Sequence, residues 1–365
     1  MRGADMATIV LAGGGTGGHL YPALAIGDML ASRGHRIVYY GDPDRLEGRV
    51  VPEKGLPFRP VKAPQFPRRG RLKQVLFVFS LLGAIIKTWN RLRKDGADVV
   101  FGVGGYISVP TLVAGKLLGA RVVIHEANVV PGMANKLAGR FSDMVLLTYE
   151  ETRSRLVSKA PKHLVGVPVS PDISKGERVE AGKKYGLDPE KATVVFVGGS
   201  LGAERINELA LGVMAFPSRA FQVIHLTGKR YFDEVVAQLD GTPEGTAVVD
   251  YEDRMDLAFS MADLMVSRSG SSTLGEIAAT GTASLLIPSP HVTENHQEHN
   301  ARGLASIGAA EVLLEANWSL SDSVAIVAKL MEDTDTLVKM ANAAQGASMM
   351  EAACSAADHI ETLIH

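Results

Sequence analysis

"ATIVLAGGGTGGHLYPALAI", residues 7–26, carries an apolar strand into five glycines in six residues, then a histidine, then a helix. A strand that ends in glycine and restarts as a helix opens a βαβ unit, and the turn leaves backbone N–H groups at the positive end of the helix, where a phosphate is held well. Gly13, Gly15 and Gly18 fit G-x-G-x-x-G, and Asp42 closes the next strand where a ribose-binding acid would stand. The spacing alone admits a dinucleotide, a sugar or lipid diphosphate, or a tight turn with no ligand. His19 stands directly behind the last glycine. An imidazole, with an unperturbed pKa of about 6.5, can take a proton from an attacking hydroxyl near neutrality. The alternative role is a cap on the loop or a hydrogen bond to phosphate.

The same strand–turn–helix form recurs. "TIVLAG", "HRIVYYG", "ADVVFGVGG", "ARVVIHE" and "DMVLLTY" predict the strands of the first half, with helical segments between them. β-branched runs alternating with helices indicate a parallel sheet covered on both faces. The first helix reads as "LYPALAIGDMLASRG", which puts Pro22 in its first turn. "LVGVPVSPDI", Leu164 to Ile173, reads as a linker. Beyond it the pattern restarts with "ATVVFVGGSLGAERINELALGVM" and continues through "FQVIHLTG", "TAVVDYE", "ADLMVSRSG" and "ASLLIPSP". The expected fold is α/β, two Rossmann-like domains at 1–165 and 166–344, with a helical stretch near 345–365 able to pack back on the first.

At 365 residues with 46% hydrophobic content, each half can bury its own core. The one cysteine, Cys354, excludes a disulfide framework and suits a reducing compartment. The opening residues read as a lead-in to a strand rather than a signal peptide. Net charge is −2 but unevenly spread: from Lys54 to Lys94 there is no acid, against eleven Lys and Arg. Within that window lies "VLFVFSLLGAII", Val75 to Ile86. Read as a helix it spans roughly 18 Å, short of the ~20 residues a bilayer needs. It is either a buried helix with a solvated basic flank or a helix that dips into an anionic membrane surface with Trp89 at the boundary. No nucleic-acid partner is expected.

Further loops carry chemistry. "GVGGYISVP" (Gly102–Pro110) is a second glycine turn, and "HEAN" (His125–Asn128) follows a strand. In a parallel sheet these strand ends open on one edge. In the second half "GGSLGA" presents Ser200, and "SRSGSSTLGEIAATG" places Ser269, Ser271, Ser272 and Thr273 at a helix start with Glu276 one turn on. Hydroxyls and N–H groups there can hold a diphosphate without metal, and Glu276 can accept from ribose hydroxyls. Ordinary capping would need only one such residue. "HVTENHQEHNA" gathers His291, His296, Gln297, His299 and Asn300, suited to sugar hydroxyls, with no carboxylate or cysteine pattern for a metal. "DPD" (Asp42–Asp44) reads as a turn rather than a metal-binding Asp-x-Asp.

"GGTGGH" (Gly14–His19), "GVGGYISVP", "HEAN", "VFVGGSLGA", "RSGSSTLGEIAA" and "HQEHNA", in this order through nearly the whole chain, resemble the MurG family of N-acetylglucosaminyltransferases. The resemblance implies a GT-B type fold with the active site in the interdomain cleft. It implies inverting transfer from UDP-N-acetylglucosamine to undecaprenyl-diphosphoryl-N-acetylmuramoyl-pentapeptide (lipid I to lipid II), by a peripheral enzyme on the cytoplasmic face of the bacterial inner membrane that needs no cofactor or metal. His19 then becomes the base. Family donor contacts fall on Ser200, Ser271, Ser272, Thr273, Glu276, Gln297 and Asn300, on backbone near Tyr251 and Glu252, and on Thr16, Gly17, Gly18 and Asn128 in the first domain. Gly14, Gly15, Gly104, Gly105, Tyr106, His125 and Glu126 fall to the acceptor, and the Lys54–Lys94 segment to the membrane. The chain departs from the family at Ala127, where glutamine is common. It also departs at Gly166–Ser170, "GVPVS", where the family often has Gly-Asn-Pro-x-Arg, and at His296, where some members have glutamine. Two other readings stay open: an NAD-dependent oxidoreductase using Gly13, Gly15, Gly18 and Asp42, and a UDP-sugar epimerase or galactolipid synthase on the same fold.

Overall fold

The computed structural model describes residues 6–15, 17–64, 71–199, 201–216, 219–239, 241–292, 295–346 and 352–364, with the side chains of 71–73 excepted. The lead-in at residues 1–5 therefore lies outside the described residues. The chain divides into two compact units, residues 1–170 with 351–365, and residues 171–350.

The first unit is a seven-stranded parallel sheet: β1 (Thr8–Ala12), β2 (Arg36–Gly41), β3 (Phe58–Pro60), β4 (Val99–Gly102), β5 (Arg121–Glu126), β6 (Met144–Leu147) and β7 (Lys162–Leu164), in spatial order β3-β2-β1-β4-β5-β6-β7. Successive side chains of β1 serve opposite faces. Ile9 and Leu11 enter one core with Leu20, Ile26 and Leu30, while Val10 and Ala12 enter another with Tyr40, Leu92 and Leu112. Both faces are thus covered, as continuous apolar strands require. Each fully buried Ile or Leu contributes roughly 1.5–3 kcal/mol of hydrophobic stabilisation before entropy is charged against it. The helix Ala352–Glu361 belongs to this unit. Its Ala353, Ala356, Ala357 and Ile360 complete the β1 core, and Glu361 accepts from Arg33 (2.8 Å) and His35 (3.0 Å).

The first helix is Gly17–Ser32, so it starts three residues earlier than the sequence reading places it. Pro22 consequently lies in the second turn, where it removes the hydrogen bond that would run to the Gly18 carbonyl. The glycine pair lets the helix begin directly off the turn.

A larger correction concerns the basic, apolar segment. The helix is not the twelve-residue Val75–Ile86 but Arg71–Asp95, twenty-five residues, and its Gln74–Asp95 part is long and apolar enough to cross a membrane by length and composition. Nor is it buried: Phe79 is 69% and Ile86 61% exposed, with Val75, Leu76, Val78 and Leu82 beside them. Trp89 faces the other way, against the core, under the Arg93 guanidinium (5.4 Å).

The second unit has six parallel strands: β8 (Thr193–Val197), β9 (Gln222–Leu226), β10 (Thr246–Val249), β11 (Leu264–Ser267), β12 (Ser284–Leu286) and β13 (Ala310–Val312), in order β10-β9-β8-β11-β12-β13. Val194, Phe196, Val223, Leu264, Val266 and Leu285 build its main core, closed by Leu337 and Met340 of the helix Thr334–Gly346.

Candidate active site

In each unit the strand order reverses between the first strand and its later neighbour, β1 and β4 in one and β8 and β11 in the other. Ligands of open parallel sheets sit beyond the strand C-termini at such a reversal. The register pairs Ala12 with Gly102 and Gly102 with Ile124, so the turns after β1, β4 and β5 leave side by side.

The β1 turn is held by buried side chains. Gly14 (φ 142°) and Gly15 (φ 88°) take left-handed backbone, which favours glycine. A Cβ on Gly14 would overlap the carboxylate of Glu47, and that carboxylate, fully buried, accepts from the N–H groups of Gly15 (3.0 Å) and Asp42 (3.1 Å). From the other side the Tyr39 hydroxyl donates to the Gly13 carbonyl (3.2 Å). The Gly15 N–H is therefore already used. The N–H groups that can meet a phosphate are those of Gly17, Gly18 and His19 at the helix start. Asp42 accepts from the Asp44 N–H (3.0 Å), the turn expected for "DPD". Thr16 lies outside the described residues.

His19 lies over the β4 turn. A Cβ on Gly104 would stand 3.2 Å from its Nε2 and one on Gly105 2.9 Å from the Gly14 carbonyl oxygen and 3.8 Å from the His19 Nδ1; both positions have positive φ, which favours glycine. Tyr106 follows, half-buried. His125 and Glu126 reach the same place from β5. His125 is fully buried; its Nε2–H donates to the Gly166 carbonyl (3.2 Å) and its Nδ1 has no hydrogen-bond partner. Burial above all, with the neighbouring His19 charge, pushes its pKa down to about 4. Glu126 is 2% exposed and accepts from Asn128 N–H (3.0 Å), Gly132 N–H (2.9 Å) and Asn135 Nδ2 (2.9 Å), while burial raises its pKa. Both side chains are thus engaged largely within the protein, with His125 Nδ1 the one polar atom of the pair left without a partner. They shape the "HEAN" loop from beneath and leave Asn128, half-buried, nearer its surface. Sequence reading overlooked Glu47 and Asn135, each of which looks like an ordinary helical surface residue.

In the second unit the helix Ser271–Thr280 starts directly beyond β11. Its N-cap, Gly270, supplies no side-chain cap, and the Ser271 and Ser272 hydroxyls are buried with no hydrogen-bond partner. Buried hydroxyls are nearly always satisfied, so two at one helix N-terminus are suited to donate to an acceptor held there. Ser269 is spent within the protein, donating to the Gln297 carbonyl (2.8 Å). Glu276, half-buried, has its pKa pushed up to about 7 by burial. The Gln297 side-chain oxygen accepts from Ser289 N–H (2.9 Å), which leaves its N–H groups for a ligand. Asn300 is fully buried, and its Nδ2 donates to the Ser269 carbonyl (3.5 Å). The Glu252 carboxylate is likewise committed, to Lys184 (2.6 Å), Tyr185 (2.7 Å) and the Arg254 N–H (2.7 Å), so only backbone at Tyr251 and Glu252 is available. Ser200 lies outside the described residues; its neighbours Gly198 and Gly202 pack where no Cβ fits. Of the histidines in "HVTENHQEHNA", His291 and His299 are exposed. Among the described residues no three His, Cys, Asp or Glu side chains gather as a metal site.

Residues 9–147 match the glycosyltransferase family 28 N-terminal domain and residues 193–360 the glycosyltransferase family 28 C-terminal domain. A protein of Halothermothrix orenii is 35% identical over 347 residues, covering 92% of this chain and 94% of its own. One of Halalkalibacterium halodurans is 36% identical over 338 residues, 90% of each chain. Both are named UDP-N-acetylglucosamine–N-acetylmuramyl-(pentapeptide) pyrophosphoryl-undecaprenol N-acetylglucosamine transferase. Among solved structures, Acinetobacter baumannii MurG superposes with a TM-score of 0.75 at 25% identity, over 98% of this chain and 99% of that one.

Proposed function

The chain belongs to glycosyltransferase family 28, and from that premise we propose that it transfers N-acetylglucosamine from UDP-N-acetylglucosamine to the lipid-linked muramoyl-pentapeptide, making lipid II from lipid I with inversion. The observation that carries the donor assignment is the pair of buried, unpartnered hydroxyls at Ser271 and Ser272. A diphosphate there would satisfy both and meet the helix dipole, which stabilises the charge that builds on departing UDP. Glu276 receives the ribose hydroxyls and the Gln297 amide the sugar. In the first unit the glycine turn at Gly104–Gly105 receives the acceptor, and Gly17, Gly18 and Asn128, which the resemblance gives to the donor, are read here with the acceptor because they stand beside that turn and His19. His19 takes the proton from the muramoyl 4-hydroxyl while that oxygen bonds to the sugar's anomeric carbon, and the electron pair of the breaking bond leaves with UDP.

The acceptor's lipid tail accounts for the exposed face of the helix Arg71–Asp95. That face rests on the anionic cytoplasmic surface of the membrane, its apolar side chains at the acyl boundary and the flanking Lys and Arg among the headgroups. A dinucleotide reading has less support: Glu47 occupies the turn's Gly15 N–H, and Asp42 is engaged in its own turn.

The test is transfer of labelled N-acetylglucosamine to a short-chain lipid I analogue, with and without EDTA. Product in equal amount supports both the acceptor and the leaving-group account. Product lost with EDTA sinks the latter. No product from protein that still binds the donor moves the reading to another acceptor or to epimerisation.

A further inference from the structure

We propose that Glu47 is a positioning residue for the transfer, acting through the glycine turn on the placement of His19. The proposal rests on the transferase reading above. The Glu47 carboxylate is fully buried, and its partners are two backbone N–H groups, of Gly15 (3.0 Å) and Asp42 (3.1 Å), rather than a cation. A buried carboxylate is costly unless it is well satisfied, so this one fixes its two donors firmly. One donor is the turn that launches the His19 helix; the other ends β2, the neighbouring strand. Gly41 and Gly14 both lack the Cβ that would collide with the Glu47 side chain, so the backbone closes around it. Tyr39 holds the same turn at the Gly13 carbonyl.

What the turn positions is the reacting edge of the first unit. A Cβ on Gly105 would lie 2.9 Å from the Gly14 carbonyl oxygen, and His19 lies over Gly104. Any shift of Gly14 and Gly15 therefore passes at once to the β4 turn and to the imidazole. Glu47 also uses the Gly15 N–H, which directs an incoming phosphate to the amides at the helix start. It does this without touching substrate.

Glu47→Gln keeps the outline but turns an N–H2 toward one of the two N–H donors. In full-length enzyme assayed with a lipid I analogue, kcat is expected to fall at least tenfold and the acceptor KM to rise, while the donor KM stays within twofold and the protein, though melting lower because a buried N–H loses its acceptor, stays folded at the assay temperature. Tyr39→Phe, which removes one hydroxyl from the other side of the turn, is expected to move kcat the same way by a smaller factor, and it carries the test if Glu47→Gln does not fold. A folded Glu47→Gln with kcat within twofold of wild type overturns the proposal. So does a loss of activity that only tracks the folded fraction or affects donor and acceptor KM alike. Wild-type protein that makes no product removes the transferase reading itself, and this proposal with it.

Discussion

Glu276 links burial to a measurable pH dependence. With its pKa raised to about 7 by burial, the carboxyl is ionised above that value and neutral below it, and only the carboxylate accepts from two ribose hydroxyls at once. The donor KM is expected to rise as pH falls through 7, by up to about tenfold per pH unit. Glu276→Gln should be weaker at pH 8 and flat with pH, as read by UDP-N-acetylglucosamine titration. His19→Asn tests the base: kcat should fall by about 10²–10⁴, the range of general base catalysis, with donor KM unchanged. A loss of only a few-fold in turnover would make His19 structural. Both residues stand out in the sequence because each lies in the first or second turn of a helix that follows a strand and a glycine- or serine-rich stretch. Glu47 was not legible, since "DRLEGRV" reads as an exposed helix start and only the fold brings Gly14 and Gly15 over its carboxylate. The burial of His125, Glu126 and Asn300 was not legible either, because the sequence shows a polar residue near a turn but not the direction of its side chain.

At the scale of elements, the helix Arg71–Asp95 decides the membrane question. Phe79→Asp with Ile86→Asp should abolish sedimentation with anionic vesicles and cut activity on long-chain acceptor. Both side chains are exposed, so melting temperature and activity on a short-chain acceptor should hold. Binding unchanged by the pair would show that this face does not seat on lipid. The sequence reading made this helix too short because it counted only the uninterrupted apolar run. The flanking Gln, Lys and Arg are good helix formers, nothing after Arg71 breaks the helix, and it ends only where Gly96 takes φ 69°. The long buried strands were readable from their β-branched runs. Of the four edge strands, β10 was readable from its TAVV run, but β3, β7 and β13, three residues each, were not, since so short an edge strand carries no apolar run.

For the whole molecule, each unit carries a buried histidine near the C-terminal end of an interior strand, His125 on β5 and His225 on β9. Burial pushes the His125 pKa down to about 4 and that of His225, hydrogen-bonded to Asn207 (2.9 Å), down to about 3. Both rings are neutral when folded and take up a proton only on unfolding once the pH is below about 6.5. Stability is therefore full above pH 6.5 and should fall by about 1.4 kcal/mol per pH unit for each histidine, His125 ceasing to contribute below about 4 and His225 below about 3. Melting curves from pH 7.5 to 4.5 should show this decline, and His225→Gln should flatten the part due to the second unit. A melting temperature independent of pH over that range would contradict the assignment of neutral buried rings.

The helix Ala352–Glu361 also governs the order in which the protein is made. Its alanines and Ile360 finish the core of a unit whose sheet ends at β7, yet residues 171–350 must be synthesised in between. At the usual ribosomal pace of about 5–20 residues per second, the first unit waits roughly ten to forty seconds with the core beside β1 and the first helix still incomplete. During that interval a nascent chain exposes the apolar surface that Ala353, Ala356, Ala357 and Ile360 will cover, a surface suited to chaperone capture. The second unit, continuous in sequence, can mature first, so the unit that begins synthesis is the last to become native.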